Sequence, residues 1–205
     1  MLSEINNIST RRLQVVARFL KAEGISTIVQ GGCSEDVSTL LFAKEGFSIT
    51  LLTNSDYLKA KDLYIDFDKW KNKITIIDET REQSSEIKHE SFDFLLLFNT
   101  IYYATFTDLR RNLDRFLGFL RRDGFFYLTL ISTKHGRYGQ GNEIEPNTFY
   151  FEGKKTHFSD ASDIVSLLRH VEVIDIRDEE QEDAGSFHWH ILGRNRIMAP
   201  ADDDS

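Results

Sequence analysis

Gly31, Gly32, Cys33, Ser34, Glu35 and Asp36 stand together in one turn, between the β-branched run STIVQ and the apolar-periodic run that ends at Gly46. A strand, a glycine turn and a helix in that order can hold a nucleotide-like group, because glycine lets the backbone approach closely and a helix start offers free N–H groups. Ser34, Glu35 and Asp36 bring side chains into the same space. Their carboxylates suit a helix N-terminus, where the dipole favours negative charge, so capping is the competing use. Cys33 shares the turn, and a helix start can lower a thiol pKa. A nucleophilic role would need a base nearby, and none is visible in sequence. No Gly-Lys-Ser/Thr P-loop, no G-x-G-x-x-G and no G-x-S-x-G is present, which removes the usual signatures of kinase, dinucleotide and serine-hydrolase chemistry.

Histidines form the second constellation. His188 and His190 flank Trp189 and on a strand would face one side. With His157 they would make three imidazoles, a set that zinc accepts. Alternation alone produces such a pair often and no carboxylate–histidine spacing accompanies it, so the reading is of no metal site.

The elements that must position these residues follow from periodicity. Leu13, Val16, Ala17 and Leu20 share one helical face, with Ser9 or Thr10 as the cap and Gly24 as the stop. STIVQ is a buried strand, and Asp36 to Glu45 a helix closed by Gly46. FSITLLT is a strand, followed by a helix capped at Ser55 or Asp56 that runs toward Trp70. KITII and FDFLLLFN are two more strands. Thr107 opens the helix TDLRRNLDRFLGFLRR, which Asp123–Gly124 closes before the strand FFYLTLIS. A long polar loop, Thr133–Asn147, leads through TFYFEGKKTHF to a helix near Ser159–Arg169. VEVIDIR and SFHWHILGR come last, joined by DEEQEDAG, a connection too short for a crossover helix. They should pair as an antiparallel hairpin.

Strands apolar on both faces and alternating with helices indicate a mostly parallel sheet covered on both sides. The fold class is therefore α/β, a doubly wound, seven-stranded sheet with one antiparallel strand from the C-terminal hairpin. Ligands of such sheets bind beyond the carboxyl ends of the strands, where strand order reverses.

The chain has 205 residues, 40% of them hydrophobic and 28% charged, with a single cysteine and two prolines. That suits one domain over residues 1–197, with an acidic tail at 198–205. A net charge of −8 argues against a broad nucleic-acid contact. The densest basic cluster, Arg110–Arg111 with Arg121–Arg122 on one helix and its end, reads as a solvated face. With no apolar run long enough for a membrane span and no pair of cysteines for a disulfide, a cytoplasmic protein is the expectation.

The ordered set of segments, above all SFDFLLLFNTIYY, RRDGFFYLTLIS and the terminal hairpin, resembles the class I S-adenosylmethionine-dependent methyltransferases from about Ser9 to Arg194. The stretch YGQGNEIEPNTFYF with HWHILGR is further similar to small-molecule enzymes of the tellurite-resistance type. The resemblance implies S-adenosyl-L-methionine as cofactor and a small-molecule acceptor, with neither nucleic acid nor membrane as partner. A protein partner or a homodimer stays open. It assigns the cofactor to Gly31, Gly32, Cys33, Ser34, Thr53, Asn54, Asp78, Glu79, Asn99 and Tyr102. Gly32 matches a family glycine, whereas Ser34 and Asp36 replace two others. Thr53 stands where the family has the acid that binds the ribose, leaving Asn54 as a neutral acceptor. Asp78, or Glu79 in its stead, would meet the adenine amino group. Asn99, Tyr102 and Tyr103 would line the reaction centre, where an aromatic face attracts a sulfonium. Tyr103, His135 and His157 are the candidate bases. The loop residues His135, Arg137, Tyr138, Glu143, Glu145 and Asn147 would meet the acceptor. The lost glycines and the lost ribose acid sustain a second expectation, a catalytically inactive pseudo-methyltransferase that binds or regulates. A different ligand chemistry on the same sheet ranks third.

Overall fold

The computed structural model describes residues 8–32, 36–53, 67–79, 87, 89–181 and 183–196. Cys33, Ser34, Glu35, Asn54, the expected cap at Ser55 or Asp56 and the acidic tail lie outside the described residues.

A seven-stranded sheet forms the centre. Its strands are β1 (Thr27–Gly31), β2 (Ser48–Thr53), β3 (Ile74–Asp78), β4 (Phe92–Leu97), β5 (Leu120–Ile131), β9 (Glu172–Glu180) and β10 (Phe187–Arg194). The order across the sheet is β3-β2-β1-β4-β5-β10-β9. β1 to β5 pair in parallel, and β10 runs antiparallel to both β5 and β9. The expected sheet with one reversed strand from a terminal hairpin is thus present. Strand order reverses between β1 and β4, the two strands that start the two halves of the winding.

Alternation along the strands sends side chains into two cores. Ile28, Phe94, Leu96, Phe125 and Tyr127 pack with helices α1 (Ile8–Ala22) and α2 (Asp36–Lys44) on one face. Val29, Leu95, Leu97, Phe126 and Leu128 pack on the other with α4 (Phe106–Leu117) and α5 (Ala161–Leu168). A short helix, α3 (Phe67–Trp70), precedes β3. Gly24 at φ 72° and Gly46 at φ 100° end the first two helices in the left-handed region, as expected.

Three boundaries depart from the expectation. α1 already begins at Ile8, so Ser9 and Thr10 lie inside it. α4 begins after Thr105, whose hydroxyl accepts from the Asp108 N–H, two residues ahead of Thr107. It ends at Leu117, so Arg121 and Arg122 belong to β5, not to the helix that carries Arg110 and Arg111. The Asn195 amide fixes this junction by donating to the carbonyls of Leu117 and Leu120.

The largest departure concerns the polar loop. Within and beyond it lies a second, three-stranded antiparallel sheet of β6 (Asn142–Glu145), β7 (Thr148–Phe151) and β8 (Lys154–His157). Two tight turns build it. Pro146–Asn147 places Asn147 at φ 61°, and Glu152–Gly153 places both residues at positive φ, 48° and 79°. Consecutive positive φ values make the second a hairpin turn whose twist matches the flanking strands.

Candidate functional site

Gly31 closes β1, and Gly32 follows at φ 65° with its N–H donating to the Leu52 carbonyl. The two glycines serve different needs. A Cβ on Gly31 would lie 2.5 Å from the Phe116 ring and 2.7 Å from Leu97, so α4 packs against that bare backbone from the core side. Gly32 is where the chain turns away from the sheet, a left-handed position suited to glycine.

Thr53 ends β2, buried, and its carbonyl accepts from the Glu79 N–H. Asp78 ends β3 directly beside it in register and is likewise buried. Glu79 is engaged elsewhere: both terminal nitrogens of Arg115 donate to its Oε1 at 3.2 Å. Of the two expected adenine partners, the structure ties Glu79 to α4 and leaves Asp78 at the sheet edge. Asn99 follows β4 at φ 53°. Its N–H donates to the Thr129 hydroxyl at 2.7 Å, and that hydroxyl donates back to Asn99 Oδ1 at 3.0 Å. This reciprocal pair pins the end of β4 to β5.

Beyond β4 and β5 opens a cavity of about 510 Å³, within the range of small-molecule sites. Asn99, Tyr102 and Ile131 line it at the sheet edge, β7 and β8 roof it through Phe149, Phe151, Lys154 and Thr156, and the loop joining β9 to β10 closes one side. The reversed direction of β10 matters here, because it brings the start of that strand, with His188, to the carboxyl edge of the others.

Four of the six histidines, His135, His157, His188 and His190, were singled out from sequence, and the hydrogen-bond pattern of each fixes a role. His188 lines the cavity, and its Nδ1 lies 3.0 Å from the Ser186 carbonyl. A carbonyl only accepts, so Nδ1 carries the proton and Nε2 the lone pair. Burial holds its pKa down to about 4, so the ring is neutral at pH 7. His135, also in the lining, is the complement. Its Nδ1 accepts from the Arg137 N–H at 3.0 Å, which leaves the proton on Nε2. Burial, and then the Arg137 charge, lower its pKa. The two rings meet edge to face at 5.5 Å. One presents a lone pair and the other an N–H.

His157, expected as a base, does not line the cavity. It is 1% exposed, held by Thr148 Oγ1 at 2.8 Å on Nδ1 and with Asp163 Oδ2 3.3 Å from Nε2. Burial lowers its pKa in spite of Asp163, and its ring packs 5.0 Å from Phe106. It joins the small sheet to α4 and α5. His190 is buried against the Tyr127 hydroxyl at 2.8 Å, its pKa pushed by burial to about 3. Tyr103, half exposed, lies at the cavity wall with Lys154 over its ring at 5.8 Å. Tyr102 is buried between Tyr103 and His188, at 4.7 and 5.9 Å.

The expected cofactor and catalytic residues therefore divide into three places. Gly31, Gly32, Thr53 and Asp78 lie along the edge of β1, β2 and β3. Asn99, Tyr102, Tyr103 and His135 gather at the cavity, and His157 stands behind it. Residues not singled out from sequence complete the cavity: Phe149 and Phe158 as aromatic walls, 5.9 Å apart, and Gln181 in the β9–β10 loop. The hairpin itself was legible, but nothing in its loop composition marked Gln181.

No protein-family profile and no curated protein matches this sequence. Solved structures do. The 1,6-didemethyltoxoflavin-N1-methyltransferase of Burkholderia thailandensis, with 1,6-didemethyltoxoflavin and S-adenosylhomocysteine bound, aligns with a TM-score of 0.68 at 15% identity, over 93% of this chain and 80% of that one. A SAM-dependent methyltransferase of Methanosarcina mazei aligns with a TM-score of 0.69 at 17% identity, over 85% and 94%. The [4+2]-cyclase SpnF aligns with a TM-score of 0.66 at 13% identity, over 92% and 82%. At such identities the likeness is one of architecture, and a cyclase among these neighbours shows that one architecture serves more than one reaction. The chain has the Rossmann-like fold of the class I methyltransferases.

Proposed function

We infer that the protein is an S-adenosylmethionine-dependent methyltransferase acting on a small molecule. The observation that carries this reading is the adjacency of two places at one sheet edge. The strand-order reversal at Gly31–Gly32 and Asn99 is where this fold class binds its ligand, and the roofed cavity beside it shares Asn99 and Tyr102.

The described residues fit an adenosyl group in part. Gly32 supplies a left-handed backbone turn at the end of β1, and Asp78 a carboxyl at the end of β3. Gly31 is already explained by Phe116 and adds no support. Thr53 offers one neutral hydroxyl where a carboxylate would grip two ribose hydroxyls. Charge-assisted hydrogen bonds are roughly twice as strong as neutral ones, so a weak hold on the cofactor follows. Bound there, S-adenosylmethionine supplies an electrophilic sulfonium methyl group.

The chain's own contribution is placement. Asn99 is locked by Thr129 at the boundary of the two places, and Tyr102 is held between Tyr103 and His188. Orientation alone can supply about 7–11 kcal/mol of a barrier. With a pKa of about 4, His188 is a hydrogen-bond acceptor and a feeble base. The site thus favours an acceptor whose heteroatom attacks through a lone pair over one that must first lose a tightly held proton. The pseudoenzyme reading rests on the missing glycines and ribose acid, and no geometry among the described residues adds to it. Incubation with methyl-labelled S-adenosylmethionine and a panel of heteroatom-bearing small molecules tests the reading. Transfer of label is expected. Bound cofactor without transfer to any of them would instead support the inactive alternative.

A further inference from the structure

Two of the histidines keep a ring nitrogen for the cavity. His157 and His190 have Nε2 sealed inside the protein. His135 and His188 line the cavity instead, and each commits its Nδ1 to the backbone, to the Arg137 N–H and the Ser186 carbonyl respectively. Neither of their Nε2 atoms is sealed, and neither has a hydrogen-bond partner among the described residues. The backbone contacts set opposite tautomers, so His135 offers an N–H and His188 a lone pair. The Ser186 carbonyl that holds His188 also accepts from the Gln181 N–H at 2.9 Å, which fixes it in place.

The two rings stand 86° apart in plane, with centroids 5.5 Å apart. An atom within hydrogen-bond reach of both Nε2 atoms would lie about 4 Å from each centroid. Centroids at that spacing subtend roughly a right angle at it, which suits one oxygen that donates once and accepts once. The rest of the lining narrows the chemistry. Tyr102, Phe149 and Phe158 give flat apolar walls. Burial lowers the pKa of both imidazoles, so the pair is neutral at pH 7. Arg137 and Lys154 are matched by Glu152 and Asp183, so the charged residues of the lining balance.

We propose that His135 and His188 hold a neutral aromatic hydroxyl between them, its O–H donating to His188 Nε2 and its oxygen accepting from the His135 Nε2–H. Flat walls select the ring, balanced charge selects neutrality, and the opposed tautomers select a group that both donates and accepts. The hydroxyl is an anchor and keeps its proton, because a phenol is a far weaker acid than the His188 imidazolium. The methylated heteroatom therefore stands elsewhere on the same molecule. That last step rests on the function inferred above; the anchoring does not.

The test measures binding to the full chain by calorimetry at neutral pH, with and without S-adenosylhomocysteine, using 6-hydroxyquinoline, quinoline and 6-methoxyquinoline as probes. All three are flat bicycles, and only the first has the hydroxyl. 6-Hydroxyquinoline is expected to bind at least tenfold tighter than either of the others. His188→Phe and His135→Phe, which keep a flat ring, should each remove that preference while leaving quinoline unchanged. In the native chain, imidazole nitrogen NMR should show Nδ1 protonated in His188 and Nε2 in His135. 6-Hydroxyquinoline should then move the Nε2 resonances of these two rings and not those of His157 and His190. Equal affinities, no binding of any probe at millimolar concentration, a preference that survives both substitutions, or unmoved Nε2 resonances would each overturn the proposal. So would recovery of 6-methoxyquinoline after incubation with S-adenosylmethionine, since the anchor would then be the methylated atom. Failure of S-adenosylhomocysteine to bind while 6-hydroxyquinoline shows the expected pattern would instead remove the methyl-transfer reading and leave the hydroxyl site standing.

Discussion

Gly31 shows how one residue can meet a need that the sequence does not announce. From sequence it belongs to a cofactor turn; in the structure its missing Cβ is what lets Phe116 of α4 lie against β1. Gly31→Ala should therefore destabilise the fold by about 1–3 kcal/mol, the usual cost of forcing extra volume into a packed core, as read by denaturant unfolding. Unchanged stability would contradict the packing role. The histidines allow a second test. His188 and His190 have folded pKa values of about 4 and 3, below the ordinary value near 6.5. The unfolded chain takes up their protons first as pH falls. Stability is thus full above about pH 6.5 and lost progressively as pH drops toward the folded values. Roughly 3 kcal/mol should disappear for His188 and roughly 5 kcal/mol for His190, taking about 1.4 kcal/mol per pKa unit. His190→Gln should flatten that profile between pH 6.5 and 4 in thermal melts, and an equally steep profile would contradict the assignment. At this scale the sequence was least informative. Which nitrogen of His188 or His135 bears the proton depends on a carbonyl and an N–H placed by the backbone of the loops, and no residue spacing encodes that.

Elements were more legible where burial is strong. β1, β2, β4 and the second half of β5 are apolar runs, because strands covered on both faces have no polar side to show, and these were readable at nearly their true limits; the exposed start of β5, Arg121 to Asp123, was not. The small sheet of β6 to β8 escaped notice for the opposite reason. It is largely exposed and rich in Glu, Lys and Thr, and resembles a loop in composition, although Glu152–Gly153 between two short runs was the available hairpin signal. α4 was misjudged at its C-terminal end because its apolar period continues into β5, where Gly118 and the Asn195 contacts stop it, and at its start because Thr105 and Thr107 are both capping types and Thr105 makes the cap. α5 has a firmer start. Asp160 accepts from the N–H groups of Ser162 and Asp163 while the Asp163 carboxylate accepts from the Asp160 N–H. These bonds also hold the Asp160 carboxyl below the usual carboxylate range. Asp160→Ala should cost about 1 kcal/mol of stability, measured by urea unfolding, and loosen the end of β8 that roofs the cavity. A cost indistinguishable from zero would mean that the cap does not support the helix.

At the scale of the whole molecule, one sheet edge carries both halves of the proposed reaction. β1, β2 and β3 supply the described part of a cofactor seat; β4, β5 and β10 supply the acceptor cavity, and reversal of β10 is what brings His188 to that edge. The seat is the weaker half. Thr53→Asp should strengthen binding of S-adenosylhomocysteine by about tenfold, since one charged hydrogen bond contributes on the order of 1.5–3 kcal/mol, part of it offset by repulsion from neighbouring Asp78. Titration of the native chain with S-adenosylhomocysteine in a calorimeter bears most directly on the central claim that this edge holds a methyl donor. Saturable one-to-one binding, weakened by Asp78→Ala, is the predicted result. Absence of binding at millimolar ligand, in the native chain and in Thr53→Asp alike, would contradict it.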